Sequence, residues 1–476
     1  SSFYPAPNTT LGGQNFLTEP VRKESRNNFD IRVDHKITQK DDTFVRFSYQ
    51  DQPSEIPAPF NNVLDGGGFF DGIEDFSYRS VAMNEVHLFT PNVINEARFG
   101  YNRINAHRFQ LNSDKNIAGD PSFGISFPGI PFGPQNGGLP EIDFGDGSAT
   151  IGSSTFLPSI EKQNSYVLTD NLTWIHGRHS LKFGTELRFE QFTIFQPAAS
   201  RGNLGFGSEF TDNPASPSTG GSAFASMLLG IPDFGEITSL HNVDYRRQIY
   251  AGYVQDDFRV TPRLTFNLGL RYEFFSTIKE ARDQAATFDF ANQALLVPKG
   301  QPLELTPTLA QSIPILRTGS RGLIHPDYNN FAPRFGFAYQ ISNNLVMRGG
   351  YGIFYGGQEN GPFSNPSPGF NPPFFSIESF NVPCSALSAN PASGQIDCSI
   401  PNFNVLANGF PATSLSDPNT PLLFSVDPNL RTPYNQQWHL GLQYQLPGQT
   451  VMEVSYAGSR GLKLFAQQDV IAPHML

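Results

Sequence analysis

Several stretches of the sequence carry residue types that could do chemistry. His176-Gly177-Arg178-His179 sets two imidazoles three residues apart, the start of a metal site or an acid–base pair. No cysteine or carboxylate stands beside them at ligand spacing, so the tetrapeptide reads as a tight turn. The acidic run from Asp65-Gly66-Gly67-Gly68 to Asp71-Gly72-Ile73-Glu74-Asp75 could offer oxygens to calcium, but it lacks EF-hand spacing and reads as a solvated loop. Asp256-Asp257 puts two carboxylates side by side. On a strand, however, neighbours point to opposite faces, which is the wrong geometry for a catalytic dyad. Gly350-Tyr351-Gly352 lies within a strand-like run and reads as close packing rather than a phosphate loop. With no nucleophile motif, the expectation is a protein that is not an enzyme and has no catalytic, cofactor or metal site.

The elements that would position such residues are strands. Residues 29–37 put Phe29, Ile31, Val33 and Ile37 on one face and Asp30, Arg32, Asp34 and Lys36 on the other. After a polar turn, Val45, Phe47 and Tyr49 alternate with Arg46, Ser48 and Gln50. The same unit recurs, which predicts twelve strands in six hairpins: 29–37, 43–50, 78–89, 94–103, 163–174, 180–192, 246–260, 263–275, 329–340, 345–355, 433–446 and 450–457. Most runs are longer than the five or six residues usual in soluble proteins and match the roughly 9–11 that cross a bilayer at a tilt. Turns within hairpins are short, and connections between hairpins run from 27 to 77 residues. That asymmetry is expected of an outer-membrane barrel with periplasmic turns and extracellular loops.

Composition agrees. Charged residues are only 16% against roughly 25% in ordinary soluble domains, 44 residues are Phe, and 44 Gly and 39 Pro imply many turns. A net charge of −11 excludes a basic nucleic-acid face, and no apolar run is long enough for a membrane helix. The start, Ser1-Ser2-Phe3-Tyr4, does not read as a leader. The expected fold is therefore all-β, an antiparallel transmembrane barrel in one domain over 1–476. Its polar face, with Asp30, Arg32, Asp34, Arg46, Glu96, Arg98, Glu186, Arg188, Arg271, Glu273, Arg334 and Arg348, would line a hydrated lumen. A soluble β-sandwich shows the same alternation and is the competing architecture.

The hairpins also carry a resemblance. Tyr253-Val254-Gln255-Asp256-Asp257-Phe258, continued through Thr261-Pro262-Arg263-Leu264 to Leu270-Arg271-Tyr272-Glu273, is similar to TonB-dependent outer-membrane receptors. So is Asn330-Phe331-Ala332-Pro333-Arg334-Phe335-Gly336-Phe337-Ala338-Tyr339. Asn28-Phe29-Asp30-Ile31-Arg32-Val33-Asp34-His35, Arg348-Gly349-Gly350-Tyr351-Gly352-Ile353-Phe354-Tyr355, Pro433-Tyr434-Asn435-Gln436-Gln437-Trp438 and Tyr456-Ala457-Gly458-Ser459-Arg460-Gly461 resemble the Oar-like branch, abundant in acidobacteria. The resemblance implies a 22-stranded barrel with an N-terminal plug, coupled to an inner-membrane TonB-type complex. Twelve strands without plug, coupling box or closing strand are expected to be the middle of such a barrel, forming an open curved sheet or one closed in another register. Implied partners are outer-membrane lipid, the energy-coupling complex and an extracellular ligand: siderophore, oligosaccharide or peptide. A structural or adhesive barrel that imports nothing is the alternative.

In the loops, Ser222 to Leu229 predicts a helical turn too short to span a bilayer. Cys384 and Cys398 are expected to bridge within the longest connection, since the outer face is oxidising. Around them, Phe363, Phe370, Phe374, Phe375 and Phe380 serve either ligand contact or packing of the loop on itself.

Overall fold

The computed structural model describes residues 4–13, 15–60, 62–64, 72–120, 130, 132–133, 136–213, 220–299, 313–356, 369, 371–381 and 423–466. Twelve long strands form one sheet: β1 (Asn27–Lys36), β2 (Asp41–Ile56), β3 (Gly72–Thr90), β4 (Val93–Phe109), β5 (Ser159–His176), β6 (His179–Phe195), β7 (Val243–Thr261), β8 (Leu264–Phe275), β9 (Phe331–Ser342), β10 (Leu345–Tyr355), β11 (Tyr434–Gln445) and β12 (Val451–Leu462). Each pairs antiparallel with the next, and the described sheet is open, with edges at β1 and β12. Two short strands extend its long-loop end: Lys23–Glu24 against β2 and Lys279–Glu280 against β7.

Alternation explains where these strands form. Cross-strand partners share a face, so Ile31 meets Phe47, Val45 meets Met83, Phe99 meets Leu168, and Leu268 meets Phe335 along one continuous apolar surface. No second sheet covers this surface among the described residues; Val33 is 61% exposed and Val454 62%. A sandwich would bury that face, so the competing architecture is ruled out. Aromatic rings border the band on both sides. At the short-turn end stand Phe89, Trp174 and Phe258. Toward the long loops run Tyr49 beside Phe29, Tyr101 beside Tyr166, Tyr272 beside Phe331 and Tyr355 beside Tyr434, with ring centroids 4.9–5.4 Å apart.

The hairpin turns are short: residues 91–92, 177–178, 262–263 and 343–344 each join two strands. Gly177 takes a positive φ of 59° at the tip of the β5–β6 hairpin, a conformation open to glycine and strained for most residues. Strands β2 to β5 run well past the alternating segments toward the long loops. Residues 51–56 and 72–77 lie beyond the apolar band, where polar side chains follow no period and Glu74, buried, is held by Arg22 at 3.1 Å and Arg108 at 3.2 Å.

The long connections fold into a second region. Strands Ile377–Asn381, Phe234–Thr238, Asn203–Phe206 and Glu141–Phe144 pair in that order into a mixed sheet. Helix Ala223–Leu228, capped by Ser222, packs beside it. Ile142, Ile151, Leu204, Phe206 and Ile237 form its fully buried core. A smaller three-stranded sheet joins Thr287–Asp289, Ala294–Pro298 and Ile315–Thr318. The helical turn was expected from the sequence; this loop cap was not.

Candidate functional site: a charged wall and a folded loop cap

Cross-strand register places all twelve charged residues named from the sequence on one face, opposite the apolar surface. Arg32 faces Arg46, and Arg98 joins Thr169, Glu186, Ala251 and Glu273 in one row across five strands. Arg334 lies between Gly269 and Gly352, and Arg348 between Ala338 and Gly441.

Ten of the twelve are in ion pairs. Asp30 binds Arg46 at 2.7 Å, Arg32 binds Asp34 at 2.6 Å, and Arg98 reaches Glu96 at 2.5 Å and Asn84 at 3.1 Å. The largest network runs across β6, β7 and β8. Arg271 holds Glu186 at 3.0 Å and Glu273 at 2.9 Å, Glu186 holds Arg188 at 2.6 Å, and Glu190 receives Arg247 at 2.8 Å. Charges packed this way satisfy each other, so the wall is hydrated yet close to neutral. Arg334 and Arg348 differ. Neither has an ion pair among the described residues, and the Arg334 guanidinium rests 4.6 Å from the centroid of Phe354.

The wall has hollows on this charged face. One of about 570 Å³ is lined by Arg334, Gly350, Gly352, Gln437, His439 and Ser459. Its neighbour, of about 560 Å³, is lined by Lys182, Glu186, Tyr253, Arg271 and Glu273 and shares Arg334. One glycine is required by close approach: a Cβ on Gly184 would stand 2.2 Å from the Tyr253 ring, whose hydroxyl donates to Asn171 Oδ1 at 2.8 Å.

Asp256 and Asp257 do point to opposite faces. Asp257 accepts from Asn267 at 2.6 Å on the charged face. Asp256 lies on the apolar face, where its Oδ2 is 2.7 Å from His179 Nδ1, and the His179 ring stacks on Phe258 at 4.3 Å. His176 to His179 does span a tight turn, and the carboxylate that reaches His179 comes from a strand 77 residues away, beyond what local spacing shows. A second such group was also missed. Asp41 and His87 are hydrogen-bonded partners across β2 and β3, with Glu85 beside them. The i, i+2 spacing of Glu85 and His87 is visible in the sequence, whereas Asp41 is placed by register alone.

In the cap, Arg201 is buried and donates to the carbonyls of Leu157 (2.6 Å), Ser154 (2.8 Å), Ser153 (3.1 Å) and Leu139 (3.3 Å), tying three loop segments together. Burial raises the carboxyl pKa values of Glu141 and Glu236 above their ordinary range. Desolvation, with help from Arg282, lowers that of His241 to about 4. Phe375 is buried with Phe192 of β6 and Tyr245 of β7, so it packs the loop onto the long-loop end of the sheet. The expected disulfide, Cys384 and Cys398, lies outside the described residues, as do Phe363, Phe370, the Phe380 side chain and residues 65–71 of the acidic run.

A strand sheet apolar outside, charged inside and capped by long loops defines an integral outer-membrane β-barrel protein. The family described as outer membrane beta barrel domain matches residues 1–474, and the chain belongs to it. It resides in the outer membrane. No curated protein matches it. Among solved structures, the outer membrane transporter YddB from Escherichia coli is similar at 10% identity and a TM-score of 0.45, covering 92% of this chain and 40% of that one. The ferripyoverdine receptor of Pseudomonas aeruginosa is similar at 11% identity and 0.45, with 92% and 42% covered. The siderophore receptor PirA from Acinetobacter baumannii gives 11% and 0.41, with 92% and 43% covered. The chain thus spans less than half the length of each of these.

Proposed function

We propose that this chain is barrel wall from a TonB-dependent importer of the Oar-like branch, carrying a bulky nutrient such as a siderophore, oligosaccharide or peptide across the outer membrane. The twelve charged residues line the lumen, the short turns face the periplasm, and the loop cap receives the ligand outside. The observation that carries this reading is the inverted sheet: charges pair across one face while the apolar side is left for lipid. Energy coupling would act through an inner-membrane TonB-type complex, as the resemblance of residues 28–35 and 348–355 implies.

The test is deletion of the full gene in its host, with uptake of ferric siderophores, oligosaccharides and peptides measured with and without a protonophore. Import predicts loss of one solute class, with the lost component sensitive to the protonophore. Unchanged uptake of every class overturns import and leaves the structural or adhesive barrel. Surface proteolysis of intact cells checks orientation: cleavage is expected within 104–162 or 356–432, and cleavage only at the short turns would invert the topology.

A further inference from the structure

We propose that Asp41, Glu85 and His87 form a divalent-cation site on the apolar face of the sheet, at the short-turn end of the β2–β3 pair. Asp41 and His87 are direct cross-strand partners, and Thr43 and Glu85 form the adjacent pair two residues along the same face. One ligand atom from each of the three lies within 4.8 Å of the others. Paired strands therefore already bring one imidazole nitrogen and two carboxylate oxygens into one cluster.

Three further observations favour an ion there over a plain ion pair. The Glu85 carboxylate has no hydrogen bond or ion pair among the described residues, yet it stands beside a second carboxylate; a divalent charge relieves that repulsion. The His87 ring is held edge-on by Phe89 at 4.3 Å, which fixes the direction of its nitrogens. Thr38 donates to the far oxygen of Asp41 and orients the carboxylate as an outer hydrogen bond does for a metal ligand. The His87–Asp41 contact now closes the centre. Opening it to about 3.2 Å would admit an ion with bonds of roughly 2.0–2.1 Å. An imidazole with two carboxylates suits Zn²⁺ or Ni²⁺ and is a poor set for Mg²⁺ or Ca²⁺. Both residues of the contact are partly exposed, so water can complete the coordination.

The molecule contains its own control. His179 and Asp256 repeat the histidine–aspartate contact on the same face near another short turn, with the ring stacked flat on Phe258 of the neighbouring strand, but no third donor joins them among the described residues. The experiment is calorimetric titration of ZnCl₂, CaCl₂ and MgCl₂ into the full chain in detergent, wild type against E85Q, H87Q and H179Q. Circular dichroism confirms the sheet in each variant. Saturable binding of one Zn²⁺ per chain is expected, at least tenfold weaker in E85Q, abolished in H87Q and unchanged in H179Q. E85Q is the decisive variant, because it leaves the His87–Asp41 pair intact. No saturable Zn²⁺ binding, equal binding by E85Q and wild type, or equal losses in H87Q and H179Q would each overturn the proposal.

Discussion

The sheet and the loop cap obey opposite rules in one chain. In the cap, Ile142, Leu204 and Ile237 are sealed from solvent, as in any soluble domain. In the sheet, Ile31 is 56% exposed and the charged side chains are the ones that find partners. The difference shows that burial has no meaning until the solvent on each side is named. Lipid covers what water would expel, and ion pairs hold together the face that water wets.

Four predictions break or sharpen that contrast. The largest effect is expected from R201A, which removes a charged donor from four carbonyls inside the cap, although Leu157 O still accepts from Ser200 Oγ and Ser154 O from the Leu157 N–H. A loss of about 4 kcal/mol or more follows if each of the four hydrogen bonds from the charged guanidinium is worth roughly 1 kcal/mol or above. Limited proteolysis should show the cap cut while the sheet keeps its circular dichroism; loss of both together would mean the regions are one cooperative unit. Next is L268R, on the lipid side midway along β8, expected to destabilise the chain in vesicles by about 2–4 kcal/mol. N267R, one residue away on the wetted face, should change stability far less, and equal effects in urea titrations would refute the assignment of faces.

Third, acid should weaken the cap through His241. Its folded pKa of about 4 lies below the ordinary value near 6.5, so the unfolded chain binds the proton first. The contribution is therefore complete above about pH 6.5 and is lost as pH falls toward 4, on the order of 2–3 kcal/mol. Glu141 and Glu236 act with the opposite sign, since protonation favours their buried forms. The readout is thus the difference between wild type and H241Q in melting temperature against pH; parallel curves would discount the histidine. The smallest effect concerns Arg79 and Arg103, like charges directly opposed on the apolar side beyond its band. R103E should stabilise by about 0.2–1 kcal/mol, visible as a modest rise in Tm.

Legibility in the sequence follows the same boundary between solvents. Segments such as 29–37 and 345–355 were readable because a wall between lipid and water imposes strict alternation. Residues 51–56 and 104–109 were not, since above the bilayer no period is enforced. Cap strands of four or five residues, paired across more than a hundred positions in the case of Phe234–Thr238 with Ile377–Asn381, leave too few repeats to detect. The side of the sheet taken by Glu186, Arg271 and Arg334 was legible from parity. Which charges meet was not, because pairing depends on register: Asp41 with His87 spans 46 residues, and Arg271 with Glu186 spans 85.

The aromatic borders also set a length. Trp174 and Tyr166 on β5, like Phe258 and Tyr250 on β7, are eight residues apart on one face. At about 3.3 Å per residue and a tilt near 40°, the span is roughly 20 Å along the membrane normal. A wall of that height fits thin bilayers and mismatches thick ones, at a fraction of a kcal/mol per Å. Lipid chain length thereby becomes a physical selector of where this protein can settle, acting before any cargo or receptor does.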